Sequence, residues 1–177
     1  MLTLANFLTF IRLALIIPGA YAIYSQLWYW AAGIFVLAVL SDIADGIAAR
    51  RLNQTSSFGA LFDHTTDATF VAVNLTAIVL AGEIPYCLPI LIVLAFLQYV
   101  LDSKALAGQP LRMSVLGRYN GIAYFVLLGF AIARHLPGLQ WIPGQLIYAI
   151  GWVLIISTVL SIMDRAWALV QMQRKTQ

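Results

Sequence analysis

The sequence predicts an all-α polytopic membrane protein: a bundle of six transmembrane helices with both termini cytoplasmic, forming a single domain over residues 1–177. Three observations predict it. The 177 residues are 62% hydrophobic and only 10% charged, against about 25% charged in a soluble domain, and mean hydropathy is +0.90. The apolar residues fall into six runs, each near the roughly 20 residues that cross a bilayer. The basic residues then sort to one side of those runs.

The first run, about 4–24, carries Asn6, Thr9 and Arg12 near its start and lacks the basic leader of a cleavable signal. Ser25-Gln26 ends it, and the second run covers 28–49. Arg50 to Ser57 separates that run from a third at 58–81, and Gly82-Glu83-Ile84-Pro85 breaks the chain before a fourth at 86–107. Gly108-Gln109-Pro110 precedes a fifth at 115–134. The segment His135 to Pro143, with two prolines and a glycine, leads to the sixth at 142–164 and a polar tail. Every connection is short, so no soluble domain is expected. The lone Cys87 cannot form an intrachain disulfide and reads as a packing residue.

Six spans put Arg12, Arg50, Arg51, Lys104, Arg112, Arg118, Arg165, Arg174 and Lys175 on one side, nine of the ten basic residues, and Arg134 on the other. The basic side is expected to be cytoplasmic. Trp28 and Trp141 fall at the opposite ends, as interfacial aromatics do. The net charge of +3, without an aromatic-interleaved basic surface, fits anionic lipid and not nucleic acid as the partner.

Four of the seven acidic residues crowd into DIADGIAARRLNQTSSFGALFDHTTD, residues 42–67. A charged carboxylate near membrane depth is costly unless paired or metal-bound. Asp42 and Asp45 are three apart and Asp63 and Asp67 four apart, so each pair shares one face of a helix. The short connection brings the two helix ends together, and all four carboxylates can face one cavity on the basic side. Such a cluster suits hard divalent cations, Mg²⁺ or Mn²⁺, and four carboxylates suffice for two ions. Zinc would want more than the one nearby histidine, His64. Gly46 and Gly59, framed by the carboxylates, suit close approach of a ligand, whereas Ala48 and Ala60 read as packing. Intramembrane carboxylates also mark ion transport, but the acidic groups gather in one half with no matching repeat. An enzyme at the interface is the leading expectation, with a cation transporter or a non-catalytic scaffold as the alternative class.

The pattern Asp42-x-x-Asp45-Gly46-x-x-Ala49-Arg50, eight residues, then Gly59-x-x-x-Asp63-x-x-x-Asp67 resembles the signature of the CDP-alcohol phosphatidyltransferase family at every fixed position and gap. The resemblance implies transfer of a phosphatidyl group from a CDP-linked lipid to an alcohol, with release of CMP. It also implies six helices, homodimers and two divalent metals. Carried over, Asp42, Asp45 and Asp63 are metal ligands, and Asp67 is a metal-associated group and the general base. Gly46, Ala49 and Gly59 lie beside the CDP moiety, and Arg50 holds its diphosphate. The family also carries a polar run in its first span like Asn6-x-x-Thr9-x-x-Arg12, placed to flank the nucleotide.

The acceptor is expected to meet the basic residues between spans four and five: Lys104, Arg112 and Arg118 suit a phosphate. LRMSVLGRYNG loosely resembles the corresponding region of phosphatidylglycerophosphate synthases, which favours glycerol 3-phosphate. Those enzymes read Asp-Pro-x-x-Asp-Lys across the last two aspartates, where this chain has Asp63-His64-Thr65-Thr66-Asp67-Ala68. Phosphatidylglycerol, inositol phosphate and serine stay open as acceptors. The expected location is the cell inner membrane, with the site facing the cytoplasm.

Overall fold

In a computed structural model the described residues, 4–51, 57–102 and 114–175, form helices joined by turns. The helices are α1 (Leu4–Tyr24), α2 (Trp28–Arg51), α3 (Ser57–Leu80), α4 (Cys87–Asp102), α5 (Val115–Ala133) and α6 (Gly144–Lys175). Their starts and stops follow local chemistry. Between α1 and α2 the chain reverses at Gln26, whose φ of 57° is uncommon for a residue with a Cβ. At the end of α3, Gly82 takes the left-handed conformation with φ 76°, and the Glu83 N–H donates to the Ile78 carbonyl at 3.3 Å, closing the open helix end. Ser114 caps α5, its hydroxyl accepting from the Gly117 N–H at 3.1 Å.

α3 is the centre of the bundle. It packs against α1, α4 and α5, while α2 lies on α1 and α5, and α6 closes against α4 and α5. Its buried face is Phe70, Val71, Leu75 and Ile78, met by Ile16 and Ile23 of α1, Leu88 and Ile92 of α4, and Leu127 and Leu128 of α5. Outward, α1, α2 and α6 present Phe10, Ile17, Leu37, Leu40, Val153 and Ile156, the surface a lipid environment requires.

The expected six transmembrane helices need correction. Among the described residues four helices are long and apolar enough to cross a membrane, over Phe7–Tyr24, Trp28–Ile47, Val115–Ala133 and Gly144–Ala168. α3 falls short because Asp63, His64, Thr65, Thr66 and Asp67 fill its first half and Asn74 interrupts its second. α4 has 16 residues, about 24 Å of helix at 1.5 Å per residue, less than the hydrocarbon thickness. Residues 103–107 of the fourth expected run lie outside the described residues. The protein is therefore an all-α, polytopic membrane protein with six helices and four qualifying spans among the described residues. α6 also runs past the expected end at residue 164, to Lys175. Asp164-Arg165 ends the apolar stretch, but no Gly or Pro follows to end the helix.

Glycine positions give a local test of this packing. A Cβ on Gly151 would lie 2.7 Å from the Pro85 ring, whereas one on Gly33 would meet nothing within 4 Å. Gly151→Ala is expected to destabilise by about 1–3 kcal/mol through overpacking. Gly33→Ala should leave stability unchanged or slightly raised. Thermal unfolding of both variants in the same detergent measures the contrast.

Candidate functional site

The carboxylates meet where α2 ends and α3 begins. Asp42 and Asp45 sit on one face of α2, less than one turn apart, and Asp63 and Asp67 on one face of α3. Asp45 is nearly buried, Asp63 and Asp67 are partly buried, and Asp42 is the most open at 44% exposure. Carboxylate oxygens of Asp42, Asp45 and Asp63 lie within 4.8 Å of one another, as do ligand atoms of Asp63, His64 and Asp67. The helical spacing thus does bring the four aspartates together.

α1 delivers a cation whose contacts residue spacing did not give. Arg12 was expected among the basic residues of one membrane face, or flanking the nucleotide. It is instead fully buried at the centre of the aspartates. One guanidinium nitrogen lies 3.0 Å from Asp42 Oδ1 and 2.6 Å from Asp45 Oδ2, and the other lies 3.0 Å from Asp63 Oδ1 and also contacts Asp67. The physical reason is local charge: four carboxylates at this depth need a cation, and the first turns of α1 lie against both α2 and α3. Thr9, one turn earlier on the same face, donates to Asp45 Oδ2 at 3.3 Å. The signal was present in the sequence as a cation within the first apolar run, which in a membrane is a functional or paired group by default.

The donor set fits divalent cations. Its oxygens are hard and anionic, three of them converge within one ion's reach, and four carboxylates outnumber the single guanidinium. Asp67 lies on α3, outside the four spans. Burial pushes its carboxyl up to about 8, with Asp63 and Asp42 adding to the rise and Arg12 opposing it. A carboxyl so placed takes up a proton more readily than a solvated one.

Beside the aspartates a cavity of about 300 Å³ opens between α3, α4, α5 and α6. Asp42, His64 and Asp67 line it, as do Arg118 and Arg165. Of the expected acceptor residues, Arg118 therefore reaches a cavity shared with Asp67, while Lys104 and Arg112 lie outside the described residues. Gly46 follows Asp45 on α2 and Gly59 sits in the first turn of α3, both partly buried. Ala49 and Arg50 continue α2 and Asn6 lies in the first turn of α1, but their side chains lie outside what is described. Arg165, expected only as one of the basic residues of one membrane face, also lines the cavity. It bonds Asp102 at 3.2 Å and lies over the Tyr99 ring, 5.0 Å from its centroid, at the cavity edge.

The family question is decided by the length of the match. The sequence model of the CDP-alcohol phosphatidyltransferase family covers residues 2–163. The chain belongs to that family. A Mycobacterium bovis protein named "Putative cardiolipin synthase" is 40% identical over 86 residues, 48% of this chain and 41% of that protein. A CDP-diacylglycerol–glycerol-3-phosphate 3-phosphatidyltransferase of Wigglesworthia glossinidia brevipalpis is 38% identical over 81 residues, 44% of each chain. One of the same name from Cereibacter sphaeroides is 28% identical over 151 residues, 77% of this chain and 68% of that protein. The matches thus span less than half the length of the first two relatives. No solved structure matches the chain.

Proposed function

We propose that the protein transfers a phosphatidyl group from a CDP-linked lipid, CDP-diacylglycerol, to an alcohol and releases CMP. The observation that carries this reading is the convergence of Asp42, Asp45, Asp63 and Asp67 at two helix ends, within a chain that matches the family over 2–163. Asp42, Asp45 and Asp63, with Asp67, would hold two divalent cations, Mg²⁺ or Mn²⁺. Bound there, such ions supply positive charge to the donor's diphosphate.

The chain's own residues carry the remaining work. Asp67 accepts the proton of the acceptor hydroxyl as its oxygen attacks the phosphorus that bears the lipid. The bond from that phosphorus to the bridging oxygen of CMP breaks, and CMP departs with the electron pair. Gly46, Ala49 and Gly59 leave room for the nucleotide, and Arg50, Asn6 and Thr9 flank the diphosphate. The acyl chains stay among the apolar helix faces while the headgroup remains at the interface.

Glycerol 3-phosphate is the acceptor we favour, with phosphatidylglycerol second. Both carry a glycerol–phosphate unit, and Arg118 and Arg165, which line the same cavity as Asp67, support a phosphate-bearing acceptor. Lys104 and Arg112 belong to the same proposed phosphate site. The names of the relatives divide between these two acceptors. The even number of spans returns the chain to the starting side, so the aspartates face the side richest in Lys and Arg, taken as the cytoplasmic side of the inner membrane. A homodimer completes the reading.

Purified protein given CDP-diacylglycerol and a panel of acceptors should release CMP only with a divalent cation. EDTA should abolish release, and Mg²⁺ or Mn²⁺ should restore it. CMP release unaffected by chelation would reject the metal assignment. Cation movement without CMP from any acceptor would favour a transporter.

A further inference from the structure

The cavity next to Asp67 contains a set of buried polar atoms that the proposed chemistry does not use. Among the described residues five buried side-chain nitrogen or oxygen atoms have no hydrogen-bond partner, and three of them belong to cavity-lining residues: Gln98 Oε1, Tyr99 Oη and Asn120 Nδ2. A buried unpaired polar atom is costly, so three on residues that line one cavity form an unfavourable arrangement in a membrane protein unless a ligand meets them.

Their orientation is fixed by the other half of each amide. Gln98 donates its Nε2 to the Ile162 carbonyl at 3.0 Å, which leaves Oε1 as an acceptor. Asn120, only 5% exposed, accepts from Ser157 Oγ through its Oδ1 at 2.6 Å, which leaves its NH₂ as a donor. Tyr99 adds a hydroxyl that can do either. One free acceptor, one free donor and one amphoteric group match an alcohol hydroxyl, which donates once and accepts twice. They match a bare carboxylate or phosphate less well, since Gln98 Oε1 would face an anion. The arginines Arg118 and Arg165 line the same cavity and supply the cationic complement for a phosphate.

We infer that Gln98, Tyr99 and Asn120 form a hydroxyl-recognition wall that selects an acceptor with a second, non-reacting hydroxyl beside the one that attacks. The ligand is the diol of a glycerol–phosphate unit, free or as a lipid headgroup. This deepens the proposed function and rests on it. Asp67 takes the proton of the reacting hydroxyl, while the wall holds its neighbour and so sets which alcohol is accepted.

The test uses full-length protein in mixed micelles with CDP-diacylglycerol and Mg²⁺, read by CMP release. The acceptors are glycerol 3-phosphate and phosphatidylglycerol, each against an analogue lacking the non-reacting hydroxyl, propane-1,3-diol phosphate and phosphatidylpropanediol. Wild type should prefer the hydroxyl-bearing member by roughly 10–100-fold in kcat/KM, the range of one to two buried hydrogen bonds. The parent acceptor that turns over distinguishes a soluble from a lipid source. Tyr99→Phe, Gln98→Met and Asn120→Leu should each shrink that preference toward unity while leaving KM for the CDP-lipid unchanged. Tyr99→Phe removes one oxygen and no packing, so it reads the effect even if the others fold poorly. An active wild type without preference, or a preference untouched by Tyr99→Phe and by the folded members of the other two, overturns the inference alone. A wild type that releases no CMP with any acceptor overturns the transfer reading as well.

Discussion

Asp67→Asn should lower CMP release by roughly 10²–10⁴-fold, the range lost when a positioned base is removed. The variant keeps the shape of the side chain, and its amide can still neighbour Arg12, which touches Asp67 in the folded protein. Size-exclusion behaviour and CDP-lipid binding should therefore stay close to wild type. The comparison that matters is kcat against the KM for the lipid donor. A large fall in kcat with donor KM unchanged fits a proton acceptor. Turnover within a few-fold of wild type would remove Asp67 from that role and leave it as a ligand at most.

Arg12→Met should have the largest effect on stability. Arg12 is fully buried and neighbours all four aspartates. Removing one partner of a buried ion pair costs about 3–5 kcal/mol, because the other charge stays behind unpaired. Here the charge left behind is a cluster. The melting temperature in divalent-free detergent should fall on the order of 10 °C. Added Mg²⁺ or Mn²⁺ should recover more of that loss in the variant than it adds to wild type, since cations and Arg12 serve the same oxygens. A variant as stable as wild type without divalent cations would show that Arg12 does not neutralise the cluster.

The carboxylate geometry was legible in the sequence because it depends on local periodicity. Offsets of three and four put Asp42 with Asp45, and Asp63 with Asp67, on shared helix faces whatever surrounds them. The limits of α1 were legible for a similar reason, since Ser25-Gln26 breaks the apolar run where the helix ends. Two features were not. Arg12 reaches the aspartates through the packing of α1 on both α2 and α3, a long-range relation that residue spacing does not encode. Likewise, Gln98 and Asn120 are half-satisfied by Ile162 and Ser157, partners 64 and 37 residues away. The span count failed on α3 for a further reason. An apolar run was read across residues whose polar character α1, α4 and α5 now shelter.

That sheltering bears on how the chain enters its membrane. A helix leaves the insertion machinery sideways into lipid according to its own transfer free energy, and an aspartate near the helix centre costs about 2.5–3.5 kcal/mol on the insertion scale. α3 carries two, plus His64 and Asn74, so it is a poor candidate to partition alone. α1 and α2 emerge before it and hold Arg12, Asp42 and Asp45. They form a dock that can accept α3, because Arg12 offers it a counter-charge. Biogenesis of this protein is thus tied to the residue that assembles its site. An Arg12 variant is expected to be lost chiefly during synthesis, as a chain whose third helix fails to pack on the first two, which the pulse-chase half-life of the newly made chain would register.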